Sequence, residues 1–407
     1  MTEVREFNNP YPEYDSSKHL LNVNDPLKLS KNERETLYDN LIKLLQKLES
    51  ELKKGVDWFD YSVYTGTSGI SLMYYHLSNV LDNGKKDHYF TKALYYSEKP
   101  LSALKHKRFS FLCGDAGPLA VAAVLYKKTG KFQQSQDLLQ SLEKISRDVI
   151  SLQSGLPDEM LFGRAGYLFA LLFVMKHISG DCINHTLVQQ VISSILQSGQ
   201  QMSKSGDYKS PLMYSWHDKC YIGAAHGLIG ILYMLLQAHE YIPLEELNTL
   251  VKPSIDFLLE IRFPSGNMPS SLGNKSDRLV HWCHGAPGAI HLFGLAYKVF
   301  GEQKYLDAAK QCGDLIWRRG ILKKGYGICH GVSGNAYAFL VLYQLTDEKR
   351  HLWRALKFAE WCFDYGKHDC RTPDRPLSLF EGLAGTIYFL ADMLNPEQAA
   401  FPAFQLF

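Results

Sequence analysis

The sequence has little excess charge of either sign. Its 44 lysines and arginines nearly balance 42 aspartates and glutamates, which leaves a formal net charge of +2 over 407 residues. Nucleic-acid-binding domains usually carry a clear basic excess, so we expect no nucleic-acid partner. The chain also lacks an apolar run of the roughly 20 residues that a membrane-spanning helix needs, and its first residues match neither a signal peptide nor a myristoylation site. We therefore expect a cytoplasmic protein without a transmembrane segment; a peripheral membrane-associated pool stays open.

Cysteine is sparse as well. The eight cysteines form no Cys-x-x-Cys pair and lack the density and spacing of a secreted disulfide scaffold, which indicates a reducing compartment. Most of them are expected to be inert buried thiols. Cys283 and Cys329 differ from the rest because each directly precedes a His-Gly pair.

Seven Gly-x-x-Gly pairs, each followed by an apolar stretch, divide the chain. The pairs are Gly66/Gly69, Gly114/Gly117, Gly163/Gly166, Gly227/Gly230, Gly285/Gly288, Gly331/Gly334 and Gly382/Gly385. Their first glycines lie 46 to 64 residues apart, which is the length of two helices with their connections. Stretches such as Tyr167–Phe173 are apolar on every face and predict buried helices. Amphipathic stretches between them, such as Lys304–Arg318, predict outer helices.

Seven buried helices that alternate with seven half-exposed ones could form an open solenoid or a closed ring. We favour the ring because solenoid helices that line a concave surface are rarely apolar all round, and because neither terminus shows a polar capping repeat. The predicted fold is an all-α (α/α)7 toroid of seven inner and seven outer helices, formed as one domain by residues 31–407. Residues 1–30 are polar and predict an N-terminal arm. Helix should begin near Lys31, with Ser30 as N-cap and Glu33 completing a capping box.

Polar side chains cluster where each repeat enters its inner helix. The residues just before the first glycines are, in order, Thr65, Cys113, Phe162, His226, His284, His330 and Glu381. In a ring, neighbouring repeats would bring Cys283 and Cys329 together, with the histidines beside them. Two thiolates and an imidazole are a natural ligand set for zinc, and three protein ligands leave the fourth position for water or substrate. Spacing alone does not choose between His284 and His330, and the alternative interpretation is buried cysteines with core histidines.

Such a site would suit the activation of a substrate thiol. A metal-bound thiol ionises well below its ordinary pKa of about 8.5. His226 is the expected acid or base, although a hydrogen-bonded core histidine is an equal alternative. Two basic loops precede the last inner helices, where Lys324 and Arg371 could bind the carboxylates of a small acidic thiol and Asp374 its ammonium group.

Five motifs together resemble a known family. They are Phe111–Leu119, Gly223–Gly227, His281–Gly288, Lys323–Gly331, and Arg371–Asp374 with Ser378–Gly382. On these motifs, and on a match that runs from Asn9 to Phe404, the chain resembles the eukaryotic LanC-like proteins, relatives of the bacterial lanthionine synthetase C cyclases, and among them the glutathione-binding members. The resemblance implies a sevenfold toroid with one central zinc. Its ligands would be Cys283, Cys329 and His330.

The same resemblance assigns the other site residues. Glutathione would contact Lys324, Arg371, Thr372, Pro373 and Asp374. His226 would be the active-site histidine, with Cys283 and Cys329 acting through the metal. The chain departs from the cyclases at Glu159, where they have aspartate, at His284, where they have tyrosine, and at Arg278, which is shifted relative to their arginine. These changes argue against intramolecular peptide cyclisation and leave thiol activation intact.

We therefore expect a zinc-dependent glutathione transferase, an activity that belongs to defence against oxidative stress. It would add the thiol to small electrophiles or to dehydroamino acids in damaged proteins, with His226 protonating the developing carbanion. The alternative is a glutathione-binding adaptor without turnover, for which Pro373 and Pro376 supply a PxxP that weakly predicts binding to an SH3 domain. A prenyltransferase-like ring is disfavoured because no acidic residue stands beside Cys283 or Cys329 in the repeat phase.

Overall fold

The computed structural model describes residues 4–17, 20–22, 25–81 and 83–406. Seven inner helices each begin inside one Gly-x-x-Gly pair and contain its second glycine: α2 (Thr67–Val80), α4 (Ala116–Lys128), α7 (Arg164–His177), α9 (Leu228–Gln237), α12 (Ala286–Phe300), α14 (Val332–Thr346) and α16 (Leu383–Asp392). Seven outer units surround them: α1 (Lys31–Lys54), α3 (Lys86–Glu98), α5 (Phe132–Lys144) with α6 (Ser146–Ile150), α8 (His185–Ser205), α10 (Leu244–Glu246) with α11 (Lys252–Glu260), α13 (Gln303–Arg319) and α15 (Lys349–Phe363). The predicted all-α toroid is confirmed.

Inner and outer helices differ in burial as their sequence patterns predict. In α4 the residues from Ala116 to Leu125 are all buried, whereas α13 alternates buried and exposed faces along its length. At the start of α1, Ser30 is the N-cap as expected, and its hydroxyl accepts a hydrogen bond from the Glu33 backbone N–H at 3.4 Å. The predicted capping box is not completed, because the Ser30 N–H donates to the Leu20 carbonyl at 2.7 Å. No described helix combines the length and the apolar composition that a membrane crossing requires.

A circle of backbone hydrogen bonds joins the turns that enter the inner helices. Each bond runs from one repeat to the next: Tyr64 N–H to Leu112 O, Phe111 N–H to Gly166 O, Met160 N–H to Ala225 O, Ala225 N–H to Cys283 O, Cys283 N–H to Cys329 O, Cys329 N–H to Phe380 O and Phe380 N–H to Tyr64 O. The last bond returns from the seventh repeat to the first. Because α1 also packs against α16, the first outer helix in the chain completes the last repeat and closes the ring.

The second glycine of every pair is required by a close approach of backbone to backbone. A Cβ added at any of the seven would lie 1.8 to 2.3 Å from the carbonyl oxygen six residues earlier in the chain. Most of these glycines also face a side chain of the preceding repeat; a Cβ at Gly69 would lie 2.9 Å from Cβ of Leu379, which belongs to the seventh repeat. Each inner helix therefore starts directly against its own entry turn and its neighbour.

The two ends of the chain brace the last repeats. Phe401 and Phe404 pack against Trp282 with ring centroids 5.1 Å apart, directly below the turn that carries Cys283. The N-terminal segment crosses the outside of the ring, where the Asn9 side chain donates to Trp317 O and the Arg5 carbonyl accepts from the Lys323 N–H. A short antiparallel hairpin, β1 (Leu21–Asn22) with β2 (Asp25–Leu29), precedes α1 within the stretch predicted as a polar arm.

The close approach predicts a strong effect of one methyl group at Gly334. In Gly334→Ala the new Cβ would lie 1.8 Å from the Ile328 carbonyl oxygen, so the turn before α14 must move. We expect a loss of about 2 kcal/mol or more in the free energy of unfolding, measured as a lower midpoint in thermal and urea unfolding. Gly180→Ala is the matched control, because nothing lies within 4 Å of its added Cβ. Equal midpoints for the two variants would contradict the packing described.

Candidate metal and active site

The candidate metal site lies between the fifth and sixth turns of the ring. Cys283 precedes α12, and Cys329 and His330 precede α14. The Cys283 N–H donates to the Cys329 carbonyl at 3.2 Å, which sets the two turns side by side. One ligand atom from each of Cys283, Cys329 and His330 lies within 4.8 Å of the other two. Of the two histidines that spacing left open, the structure brings His330 to the cysteines.

The two thiols share one environment and differ in acidity. A hydrogen bond from the Cys329 thiol lowers the pKa of Cys283 well below its usual value, and His281 and His330 act in the same direction. Burial raises the pKa of Cys329 well above its usual value, and the neighbouring Cys283 adds to that rise. Burial and mutual repulsion therefore oppose a second negative charge on the pair.

This donor set fits a zinc ion. Both sulfur atoms are buried, where two thiolates without a counter-charge would be strongly unfavourable, and a divalent cation between them removes that cost. Two sulfurs and one imidazole nitrogen make three of the four positions of a tetrahedral site. The residues that form the cluster can therefore hold a metal and leave one position for another ligand.

Tyr64 and His281 support the cysteines, and the sequence analysis gave neither of them a role. The Tyr64 hydroxyl donates to the Cys329 sulfur at 2.8 Å, and burial raises the pKa of Tyr64 well above 10, so the phenol keeps its proton. His281 Nδ1 lies 3.9 Å from the Cys283 sulfur. Tyr64 occupies the same repeat position as the two cysteines, and that alignment is the signal that could have identified it.

His284 lies apart from the cysteine cluster. Its imidazole is largely shielded, and its Nδ1 has no hydrogen-bond partner among the described residues. Burial is the main cause that lowers its pKa; the charge of Cys283 opposes this, while the charges of His281, His226 and Lys324 lower the pKa further. His284 therefore stays outside the ligand set although it senses the charges around it.

His226 is held by a buried carboxylate. Its Nδ1 lies 2.6 Å from Oε2 of Glu159, which is 2% exposed. The Leu161 and Phe162 backbone N–H groups also donate to that carboxylate, so the glutamate is fixed as an acceptor. Because Nδ1 contacts the Glu159 carboxylate, the other ring nitrogen, Nε2, points away from it and has no hydrogen-bond partner among the described residues. The sequence showed only that Glu159 stands where the bacterial cyclases have aspartate. The structure shows that its carboxylate binds His226.

The two basic loops are joined to each other. The Arg371 N–H donates to the Lys323 carbonyl at 2.8 Å, and Lys323 is in turn held by Arg5 of the N-terminal segment. Lys324 is half-buried, while Arg371 is exposed and pairs with Asp374 at 3.0 Å. The structure therefore places Lys324, Arg371 and Asp374 on two adjoining loops, and their contact with glutathione stays a prediction.

Thr372 and Pro373 lie in the same loop, between the paired Arg371 and Asp374. Further along, Arg375 pairs with Asp57 at 3.2 Å and the Pro376 carbonyl accepts the Leu383 N–H. The loop is therefore anchored at its far end to the start of α16. Binding to an SH3 domain through this PxxP stays a prediction.

Comparison with known proteins gives the same family over nearly the whole chain. The family model for lanthionine synthetase C-like proteins matches residues 57–406. A curated relative, glutathione S-transferase LANCL1 from Danio rerio, is 45% identical over 411 residues, which cover 100% of this chain and 100% of that protein.

A solved structure shares the fold at much lower identity. Nisin cyclase superposes with a TM-score of 0.66 and 20% sequence identity over 90% of this chain and 96% of its own. At this identity the likeness shows the toroid and nothing of the chemistry.

The cluster predicts which variants lose the metal. We expect about one zinc per chain in purified protein, and Cys283→Ala, Cys329→Ala and His330→Ala should each weaken binding roughly 100-fold or more, because each removes a ligand. Zinc content by mass spectrometry and competition with a chromogenic chelator measure the effect. Cys312→Ala and His284→Ala are the controls, since neither side chain belongs to the cluster. Loss of zinc in His284→Ala with retention in His330→Ala would contradict this ligand set.

Proposed function

The chain belongs to the lanthionine synthetase C-like protein family, and from that premise we propose that it is a zinc-dependent glutathione transferase. The observation that carries the proposal is the meeting of Cys283, Cys329 and His330 at the centre of the ring. The name of the Danio rerio relative, glutathione S-transferase, supports the same activity at 45% identity over the full length of both chains.

Glutathione would bind at the edge formed by the two basic loops. It carries two carboxylates and one ammonium group, and Lys324, Arg371 and Asp374 offer the complementary charges. In the free protein Arg371 and Asp374 neutralise each other across an exposed ion pair, which is worth at most about 1 kcal/mol. Exchanging that pair for a carboxylate on Arg371 and an ammonium on Asp374 therefore costs little, with Thr372 and Pro373 completing the contact loop.

Zinc held by Cys283, Cys329 and His330 would supply the positive charge that lowers the pKa of the glutathione thiol. The chain itself arranges the surroundings of that sulfur. Tyr64 remains protonated and directs its hydroxyl at Cys329, which spreads the negative charge of the cluster. The buried positions of the cysteines keep bulk water from the far side.

The addition needs one proton donor, and we assign that role to His226. As the glutathione sulfur bonds to the β-carbon of an unsaturated acceptor, the carbon–carbon π bond breaks and its electron pair moves to the α-carbon. That carbon takes a proton from Nε2 of His226. The thiol has released one proton, so His226 can be protonated again and the reaction neither gains nor loses protons. Glu159 holds Nδ1 and so fixes which nitrogen faces the acceptor. No oxidant or reductant is consumed.

The acceptors we propose are small electrophiles and dehydroamino acids in proteins. A reducing compartment such as the cytoplasm suits this chemistry, and the cysteines at all eight positions are free thiols. Departures from the bacterial cyclases at Glu159 and His284 fit addition of a separate thiol better than cyclisation of one peptide.

The direct test is conjugation of glutathione to a dehydroalanine peptide by purified full-length protein. We expect zinc-dependent turnover that a chelator abolishes and added zinc restores. His226→Gln and Glu159→Gln should lower kcat by about 100-fold or more, because the acid or its orientation is lost, while glutathione binding by calorimetry stays unchanged.

His177→Gln serves as the control, since this histidine lies at the other end of α7 from Glu159. Glutathione binding without turnover, in the presence and absence of chelator alike, would reject the enzyme in favour of a binding protein. Full turnover in His226→Gln would reject the assigned proton donor.

A further inference from the structure

A cavity opens beside the candidate active site. It has a volume of about 620 Å³ and is lined by residues of the first three repeats and by Arg375 of the seventh. Two of its walls are shared with the site already described. Tyr64 lines the cavity and donates to the Cys329 sulfur, and Phe162 lines it while stacking on the His226 ring at 6.2 Å. A molecule in this cavity would therefore contact Tyr64 and Phe162, the residues that touch the metal cluster and His226.

One rim of this cavity is strongly cationic. Lys105, Lys107 and Arg108 lie in the loop before α4 and are exposed. Among the described residues, none of the three forms an ion pair with a carboxylate. Unpaired cations beside a concave site attract anions, because field lines concentrate in the cavity.

The acidic residues of the same cavity are already satisfied. Asp57 pairs with Arg375 at 3.2 Å. Asp60 accepts hydrogen bonds from Ser62 and from the Thr65 hydroxyl, the latter at 2.6 Å. Asp57 is offset by Arg375, and the single charge of Asp60 is smaller than the three of Lys105, Lys107 and Arg108. The charged side chains that line the cavity therefore leave a net charge of +2, four cations less two carboxylates.

The cationic rim leads to the reacting atoms. The Arg108 guanidinium lies 4.9 Å from the centroid of the Phe162 ring, on which His226 also stacks. One aromatic ring therefore separates this cation from the proposed proton donor. Lys324 and Arg371 belong to the loops of the sixth and seventh repeats, whereas the rim belongs to the second. Arg375, in the same loop as Arg371, also lines the cavity, so the cavity adjoins the loop proposed for glutathione.

We propose that this cavity is the acceptor subsite, and that Lys105, Lys107 and Arg108 select electrophiles that carry an anionic group away from the reacting double bond. This inference rests on the proposed glutathione transferase activity. The chemistry is shared by two sources: a small unsaturated molecule with a remote carboxylate, and an acidic peptide segment that contains a dehydroamino acid. The exposed ring of Phe59, 85% accessible at the same rim, offers an apolar contact to either.

The test compares acceptors that differ only in charge. One pair is a dehydroalanine peptide flanked by aspartates and the same peptide flanked by asparagines; the other is an acrylamide with a remote carboxylate and its carboxamide analogue. Wild-type protein should favour the anionic member of each pair, and this preference should weaken as salt rises. A preference confined to the peptide pair identifies the peptide as the source; one seen in both pairs identifies the small anion as sufficient.

The triple variant Lys105→Gln, Lys107→Gln, Arg108→Gln should lose about tenfold of the preference in kcat/KM, through a higher KM for the anionic acceptor. Its kcat, zinc content and KM for glutathione should stay unchanged. The charge-matched control is Lys85→Gln, Lys86→Gln, Lys349→Gln, because these exposed lysines lie at the starts of α3 and α15, at the opposite end of the ring. An unchanged preference in the first variant, or an equal rise in KM for glutathione, would overturn the proposal.

Binding of a non-reacting acceptor separates this proposal from the proposed function. The aspartate-flanked peptide with alanine in place of dehydroalanine should bind wild-type protein more tightly than the triple variant in calorimetry. If no acceptor is turned over but this difference persists, the transferase activity fails and the anionic subsite stands. If turnover occurs but the peptide binds both proteins equally, the subsite is rejected and the transferase activity stands.

Discussion

The circle of backbone hydrogen bonds between successive entry turns is the interaction on which the rest of the structure depends. It links each Gly-x-x-Gly turn to the next and returns from Phe380 to Tyr64. It forms because the second glycine of each pair lets the inner helix start against backbone, with no room for a side chain. One of its bonds joins the backbones of Cys283 and Cys329. The hydrogen bonds that close the ring therefore also bring the two sulfur atoms together.

Different repeats of the ring contribute different groups to the site. The fifth and sixth turns supply the sulfur and imidazole ligands, and the third and fourth supply the Glu159–His226 pair, 67 residues apart in sequence. The loops of the sixth and seventh repeats offer charges suited to glutathione, and the loop before the second inner helix offers those suited to an anionic acceptor. The regions proposed for the two substrates therefore adjoin, because Arg375 of the seventh-repeat loop also lines the cavity proposed for the acceptor.

The sequence predicts the repeat, the toroid and the start of α1 because each rests on a local pattern: glycine spacing, apolar faces and a capping serine. It also predicts that Cys283 and Cys329 meet, because they share a repeat phase. The sequence does not reveal that Glu159 orients His226 or that Tyr64 donates to Cys329, since these contacts depend on side-chain directions across the ring. Nor does it reveal the short hairpin before α1, or that Lys105, Lys107 and Arg108 form no ion pair within the described part of the chain.

The central claim is that closure of the ring places one metal ion between two sulfur atoms. Diffraction from crystals of the purified protein on both sides of the zinc absorption edge tests it most directly. The account predicts a single anomalous peak at about 2.3 Å from the sulfur atoms of both Cys283 and Cys329 and about 2.0 Å from a nitrogen of His330. No peak between these residues in zinc-supplemented crystals, or a peak held by other side chains, would contradict it.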